Sequence, residues 1–438
     1  MLLDDQARNV NEAGHLVLGG CDCVELADTF GTPLYVLDEE LLRGNCRAYV
    51  QAFSSRVEAV EICYAGKALL TTGLARLVQQ EGLGLDVASA GELYTALKAD
   101  FPPERIKLHG NFKSDLELEM ALDAGVGRIV VDSLSEIDRL QAAAARLGKE
   151  ADVLLRVTPG IRAHTHDYVA TGHVDSKFGL GVASGAAEEG TRRILACENL
   201  RLRGFHCHIG SQVFALDGFA RATEIMVGFA ARMRDELDYT AEELDMGGGL
   251  GIAYTHEDAP PTIDEFAEVL CSALLKATDE QAFPVPKLIL EPGRSIVGPA
   301  GITLYRVGPV KEIPGVRTYV AVDGGLSDNP RPALYDAQYE AVVANKADLP
   351  TTVSVRVAGK HCETDTLLPE ISLQPVEEGD VLAVFCTGAY NYAMASNYNR
   401  FPRPAMVLVR DGRAEVLVER ESLEDLVRQD RVPPGLQG

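Results

Sequence analysis

Between residues 60 and 291 the chain alternates, eight times over, between a short apolar run and a longer stretch of helical spacing, and this recurrence constrains the fold more than any other feature. Runs near 60–64, 84–88, 106–109, 128–132, 153–157, 203–209, 243–246 and 287–291 have strand character. Between most of them, ten or more residues carry apolar side chains at helical spacing. Eight strand-then-helix units predict a closed (β/α)8 barrel. An open doubly wound sheet is the alternative. Against it, no G-x-G-x-x-G follows the first strand, and the run Gly247-Gly248-Gly249-Leu250-Gly251 follows the seventh instead.

After residue 300 the helical spacing stops. Ile302–Val310, Arg317–Val322, Thr352–Val357, Asp380–Phe385, Met406–Val409 and Ala414–Val418 read as strands, with a turn at Asp411-Gly412 and a short helix near 423–428. Before the barrel, His15–Leu18 and Pro33–Leu37 are strand-like and have no helical partners of their own. The expected division is therefore a (β/α)8 barrel over 38–300 and a second, all-β domain, a sandwich or barrel, built from 1–37 and 301–438.

Barrels place their chemistry at the C-terminal ends of the strands. Polar groups or glycines fall there in turn: Lys67, then Asp86 with Ser89, His109 with Asn111, Asp132, Arg156, His208 with Ser211, the glycine run, and Glu291 with Arg294. Lys67 ends the alternating stretch Val60-Glu61-Ile62-Cys63-Tyr64-Ala65-Gly66, with a helical spacing of leucines after it. An amine in that position can be desolvated, kept partly neutral, and used to form a Schiff base.

Three features together point to pyridoxal 5′-phosphate. The glycine run, with Gly293 after the eighth strand, offers unobstructed backbone N–H groups where barrels bind phosphate. Glu291 can keep a pyridine nitrogen protonated, which makes the ring an electron sink. Lys67 supplies the amine for the aldehyde. His206-Cys207-His208 could hold zinc from one strand face, but no third ligand is evident, so no metal is expected and His208 is read as a flat ring stacked on the cofactor. His164 and His166 read as polar loop residues. In the second domain, Arg331, Tyr335, Cys362, Glu363 and Tyr390 stand in or beside irregular loops, where functional groups are often carried.

Charge excludes some partners. Lys and Arg total 41 against 65 Asp and Glu, a net −24, and that field repels nucleic acid and anionic lipid. No run of ~18 apolar residues could span a bilayer, and Met1-Leu2-Leu3-Asp4-Asp5 has neither a basic nor an apolar leader region, so a cytoplasmic protein is expected. The nine cysteines lack a repeated C-x-x-C and suit a reducing compartment; the lone Cys21-x-Cys23 reads as structural.

Read in order, these segments resemble the diaminopimelate decarboxylase family, within the pyridoxal-phosphate decarboxylases built on an alanine-racemase-like barrel. The likeness is carried by Phe30-Gly31-Thr32-Pro33-Leu34-Tyr35, Tyr64-Ala65-Gly66-Lys67-Ala68, Asp86-Val87-Ala88-Ser89-Ala90-Gly91-Glu92-Leu93, Asp175-Ser176-Lys177-Phe178-Gly179 and His206-Cys207-His208-Ile209-Gly210-Ser211-Gln212. It continues through Gly247-Gly248-Gly249, Glu291-Pro292-Gly293-Arg294, Arg331-Pro332-Ala333-Leu334-Tyr335, Cys362-Glu363 and Gly388-Ala389-Tyr390, about nine tenths of the chain.

The resemblance implies that Lys67 holds the cofactor, His208 stacks on it, Glu291 meets its nitrogen, and Ser211, Gly248, Gly249, Pro292, Gly293, Arg294 and Tyr390 complete its site. Arg294, Arg331, Tyr335, Glu363 and Tyr390 would hold substrate, and Cys362 would donate a proton, with Cys362 and Glu363 supplied by the neighbouring subunit of a homodimer. The implied reaction is decarboxylation of meso-diaminopimelate at its D-centre to L-lysine. Two arginines beside Glu363 suit a substrate end bearing both carboxylate and ammonium, whereas a plain diamine end needs only an acid. Alternatives are a relative acting on ornithine, arginine or carboxynorspermidine, and a non-catalytic regulator on the same fold. One departure is visible: the family pattern has an acid four positions after the cysteine, but here Asp365 stands at three and Thr366 at four.

Overall fold

The computed structural model describes residues 9–161 and 176–436; His164, His166 and Asp175 lie outside the described residues. The chain divides into two compact units, one of Arg43–Ile252 with Ala259–Val297, the other of Met1–Leu42, Ala253–Asp258 and Gly298–Gly438.

In the first unit eight parallel strands close a barrel: β1 (Val60–Ala65), β2 (Gly84–Val87), β3 (Ile106–Leu108), β4 (Arg128–Val131), β5 (Ala151–Thr158), β6 (Leu200–His206), β7 (Glu243–Asp245) and β8 (Lys287–Leu290). They pair in chain order, and β8 returns to β1 through Leu288 with Val60, Ile289 with Glu61 and Leu290 with Ile62. Each of the eight carries at least one buried Ile, Leu or Val, as expected for strands covered on both faces. Lysine and arginine are admitted at the strands' N-terminal ends, where they are paired. Lys107 Nζ meets Glu61 Oε1 at 2.5 Å, and Arg128 takes both oxygens of Glu243 at 2.7 and 2.6 Å.

Seven helices follow β1 to β7: α1 (Thr72–Gln80), α2 (Ala90–Lys98), α3 (Asp115–Ala124), α4 (Leu134–Leu147), α5 (Ala186–Leu195), α6 (Asp217–Leu237) and α7 (Ile263–Glu280). Their starts are written in the sequence. Thr71, Ser89, Ser114, Ser133 and Thr262 each accept an N–H of the first turn, and Ser114 with Glu117 and Thr262 with Glu265 form reciprocal capping boxes. Ser89, read as a group at a strand end, is thus a helix cap.

The eighth unit departs from the expected repeat, because β8 is followed by a helix of only four residues, Arg294–Val297. The helix Glu39–Ser54, which precedes β1, packs there instead. Its Tyr49 hydroxyl meets Ser295 Oγ at 2.6 Å, and Phe53 stands edge-on to Phe266 of α7 at 5.6 Å.

The second unit is built on a sheet centred on the long strand Gly301–Ile313. Leu34–Asp38 joins this sheet between Gly301–Ile313, antiparallel, and Ala405–Arg410, parallel. The hairpin Ala405–Arg410 to Arg413–Val418 turns at Asp411 and Gly412, both at positive φ (51° and 73°). After residue 300, two strands, Ala341–Val343 and Thr366–Leu373, and one α-helix, Arg331–Tyr335, depart from the sequence expectation. The N-terminal expectation also needs correction. Among the described residues Val17–Leu18 forms a two-stranded ladder with Cys21–Asp22, and a helix, Cys23–Phe30, follows because Asp22 caps it by accepting the N–H of Val24 at 2.8 Å. Cys21 and Cys23 are buried thiols flanking that cap.

Candidate active site

The barrel strands deliver their last residues to one end, and a hydrogen-bonded cluster forms there. His109 continues the ladder of β3, its N–H donating to the Val87 carbonyl at 2.8 Å, and His206 ends β6. Glu291 follows β8, tied by its own N–H to the Gly247 carbonyl at 2.8 Å. All three side chains are buried. His109 Nε2 lies 2.7 Å from Glu291 Oε1, and His206 Nε2 lies 3.1 Å from Oε2. The imidazole rings meet edge to face at 4.9 Å. An ionised carboxylate only accepts, so each Nε2 carries the hydrogen.

Electrostatics divides the acids of this cluster. Burial works to raise the Glu291 carboxyl, but the two imidazoles override it and hold Glu291 well below the ordinary carboxylate range. Asp86 and Asp245, equally buried, go the other way: desolvation and the charge of Glu291 push both well above it. Burial brings His109 down to about 4 and lowers His206 as well.

Around this acid stand the groups of a cofactor site. Lys67 lies on the single 3₁₀ turn Gly66–Ala68 beyond β1, with the Tyr64 hydroxyl donating to the Leu69 carbonyl beneath it. The expectation of a desolvated amine is not met: the Lys67 side chain is exposed, since the turn lifts it past the buried rim. Its charge nevertheless reaches the cluster, adding to the burial that depresses His208 and His206. His208 is half-buried, and its Nδ1 accepts the Gly248 N–H at 3.4 Å. The H-x-H pair does not act from one strand face, because β6 ends at His206 and His208 belongs to the segment after it. His206 finds its companions elsewhere, in His109 and Glu291, whose ligand atoms and its own all lie within 4.8 Å of one another.

The glycines are demanded by close approach. A Cβ on Gly248 would sit 2.2 Å from the Glu291 carbonyl oxygen, and one on Gly293 would sit 3.0 Å from Ala65, beside the lysine turn. The Ala65 N–H donates to the Pro292 carbonyl at 3.1 Å, which binds the Glu291 segment to the Lys67 segment. Nearby, the buried Arg294 guanidinium donates twice to Ser211 Oγ, at 3.2 and 3.0 Å. An amine, a buried ionised acid, and a hydroxyl and guanidinium at the glycine-rich segments fit the aldehyde, the ring nitrogen and the phosphate of pyridoxal 5′-phosphate.

Within the β unit, Arg331 is buried. It donates to the Tyr339 hydroxyl at 2.6 Å and lies 4.7 Å from the Tyr254 ring centre. Tyr335 ends its short helix half-buried, and Tyr390 is held at φ 64°. Cys362 and Glu363 are both exposed. The Cys362 N–H donates to Asn399 Oδ1 at 3.0 Å, and the Tyr398 hydroxyl donates to Glu363 Oε1 at 2.7 Å. Asp365, the displaced acid, fastens this loop from within: it accepts from Leu326 N (2.9 Å), His361 N (3.2 Å) and His361 Nδ1 (2.5 Å).

Residues 42–298 match the family described as "Pyridoxal-dependent decarboxylase, pyridoxal binding domain". The diaminopimelate decarboxylase of Bacillus subtilis is 49% identical, with 96% of each chain covered, and that of Mycobacterium tuberculosis is 46% identical over 95% of each. A crystal structure of diaminopimelate decarboxylase from M. jannaschii, in co-complex with L-lysine, superposes with a TM-score of 0.91 at 37% identity, covering 97% of this chain and 98% of that one. The chain belongs to the diaminopimelate decarboxylase family. Its cofactor is pyridoxal 5′-phosphate, and the fold expectation, a (β/α)8 barrel with a separate β domain, is borne out. Among the described residues no helix is long and apolar enough to cross a membrane.

Sequence position places Asp86, His109, Asp132 and Arg156 at strand ends without a role, and it does not single out Asp245 at all. Arg156 is buried over the Phe178 ring at 4.3 Å, with Asp132 Oδ1 3.7 Å from its Nε. Asp132 Oδ2 also accepts the Gly179 N–H at 3.0 Å. The available signal was position alone, a charged residue at the end of an otherwise apolar strand.

Proposed function

We propose that the protein decarboxylates meso-diaminopimelate at its D-centre, giving L-lysine and carbon dioxide. The observation that carries this reading is the combination of exposed Lys67 with the buried, doubly held acid Glu291, on a chain 49% identical to a diaminopimelate decarboxylase. When bound, pyridoxal 5′-phosphate supplies an electron sink for the pair left on the α-carbon as carbon dioxide departs. Lys67 would hold its aldehyde carbon, His208 would cover one ring face, and Glu291 would keep a proton at the ring nitrogen. Gly248, Gly249, Pro292, Gly293, Ser211 and Arg294 would hold the phosphate end, and Tyr390 keeps the role the family pattern implies.

For the substrate, Arg331, Tyr335 and Glu363 are assigned to the distal end, which bears one carboxylate and one ammonium. Arg331 suits the carboxylate: Tyr339 and Tyr254 fix its fork, and a guanidinium held in place loses little freedom on binding an anion. Cys362 is assigned the return of a proton to the α-carbon. Its exposure, shared with Glu363, supports a homodimer in which this loop serves the neighbouring subunit's site.

The test is incubation of the holoenzyme with meso-diaminopimelate, following L-lysine and carbon dioxide, with ornithine and arginine as competing substrates. Lysine formation abolished by Lys67→Ala supports the reading. Turnover of ornithine or arginine in preference, or a fully active Lys67→Ala, refutes it.

A further inference from the structure

We propose that His109 and His206 are positioning residues: two neutral imidazoles that grip both oxygens of Glu291 and so decide which acid of the site carries the negative charge. The inference rests on the reading of Glu291 as the partner of the cofactor's ring nitrogen, and it concerns what makes Glu291, rather than a neighbour, fit for that task.

Besides Asp132 and Glu136, which have Arg156 and Lys113 beside them, three carboxyl groups are buried at this end of the barrel: Asp86 within β2, Asp245 at the end of β7 and Glu291 after β8. Three negative charges cannot coexist there, because each desolvated carboxylate raises the cost of the next. What distinguishes Glu291 is its donors. His109 reaches Oε1 from β3 and His206 reaches Oε2 from β6, so the carboxylate plane is fixed from two sides. Asp86 Oδ1 stands 3.6 Å from the same His109 nitrogen, beyond hydrogen-bond reach. Asp245 spends Oδ1 on the Gly247 N–H at 2.9 Å, and its side chain hydrogen-bonds Glu291, which two carboxyls can do only if one of them, Asp245, carries the proton. A buried carboxyl with fewer donors is cheaper protonated, and one held by a side-chain donor on each oxygen is cheaper ionised.

The donors' neutrality matters as much as their placement. A lysine or arginine would hold Glu291 more strongly but would cancel the charge that must keep a proton on the ring nitrogen. An imidazole held neutral by burial, with the cations Arg156 and Lys67 adding to that effect at His206, orients the acid and leaves its charge for the ring. The titratable and charged groups facing Glu291 are thus His109, His206, His208, Cys207, Asp86, Asp245 and Arg156.

The experiment compares His109→Ala, His206→Ala, His206→Gln and Glu291→Gln holoenzymes by kcat and KM for meso-diaminopimelate, by the pH at which the bound cofactor's visible band titrates, and by melting temperature. Each alanine variant should keep the band, shift its titration, and lose ~10- to 100-fold in kcat with KM within about twofold, because the acid is displaced rather than the substrate site. His206→Gln keeps an N–H donor and should recover most of that loss. Wild-type kcat and titration in both alanine variants, alongside a crippled Glu291→Gln, overturn the clamp alone. A harmless Glu291→Gln overturns the ring-nitrogen assignment and the clamp with it. Equal losses in His206→Ala and His206→Gln, matched by equal drops in melting temperature, reduce His206 to packing and also overturn the proposal.

Discussion

Gly248→Ala is the sharpest perturbation of this site, because it adds one methyl group and removes nothing. Gly248, unlike Gly247 and Gly249, lies outside the positive-φ region that disfavours alanine, so the effect is contact. The new Cβ would stand 2.2 Å from the Glu291 carbonyl oxygen and 2.8 Å from its carbon. Reaching even 3.0 Å requires 3.0 − 2.2 = 0.8 Å of relative movement between the segments after β7 and β8. Glu291 cannot follow freely, since its N–H is bonded to Gly247 and its carboxylate to His109 and His206. A displacement approaching 1 Å at a group that must meet the cofactor costs ~10²-fold in rate, or about 2.7 kcal/mol of barrier. Overpacking adds roughly 1–3 kcal/mol of lost stability. The assay is kcat by carbon dioxide release, cofactor affinity by absorbance titration, and thermal melting. Gly228→Ala serves as the control: it lies within helix α6 with nothing within 4 Å of a new Cβ, and should raise stability by about 0.5–1 kcal/mol with kinetics unchanged. A Gly248→Ala enzyme with wild-type kcat and cofactor affinity would refute the reasoning.

Two further outcomes follow. Asp328 is buried, accepting the Tyr305 hydroxyl at 2.5 Å and the Gly325 N–H at 2.8 Å, and burial raises its carboxyl to about 7. An acid raised by folding favours the native state while protonated, so its contribution is complete below the unfolded pKa of about 3.9 and is lost as pH rises through about 7, on the order of 4 kcal/mol in all. Asp328→Asn should therefore gain melting temperature relative to wild type between pH 5 and pH 8.5, and parallel profiles would contradict the assignment. If Cys362 serves the neighbouring subunit, mixing inactive Lys67→Ala with inactive Cys362→Ala should restore about a quarter of wild-type sites, because half the dimers are mixed and one site in each is intact; no recovery after verified subunit exchange excludes sharing.

The sequence disclosed what local physics writes into it. Each barrel strand is a run of apolar residues whose period is set within a few positions, and each helix start carries its own cap, so the barrel strands and several of the later strands were legible from windows of ten residues. The helix Cys23–Phe30 was missed although its cap, Asp22, stood in plain view, because the cysteines and glycines around it read as a break. Lys67 was found by its position after an alternating strand, but its exposure was not foreseen, since the strand period says nothing of the 3₁₀ turn that follows.

Glu291 is visible in the sequence as a type of residue and not as an arrangement. Glu291 and His109 are 182 positions apart and Glu291 and His206 are 85 apart, and no window holds both ends of either bond. Only barrel closure brings them together, because β3, β6 and β8 end at the same rim. This is why His206 was weighed with its near neighbour His208, a pairing that strand alternation suggests and the early end of β6 dissolves. The charge state is further removed still. Asp86, Asp245 and Glu291 are alike in sequence, and which of them is ionised depends on whether two imidazoles from other strands arrive within hydrogen-bond reach. In this barrel the fold does more than gather the acids: by bringing an imidazole to each oxygen of Glu291 it sets that carboxylate apart from Asp86 and Asp245.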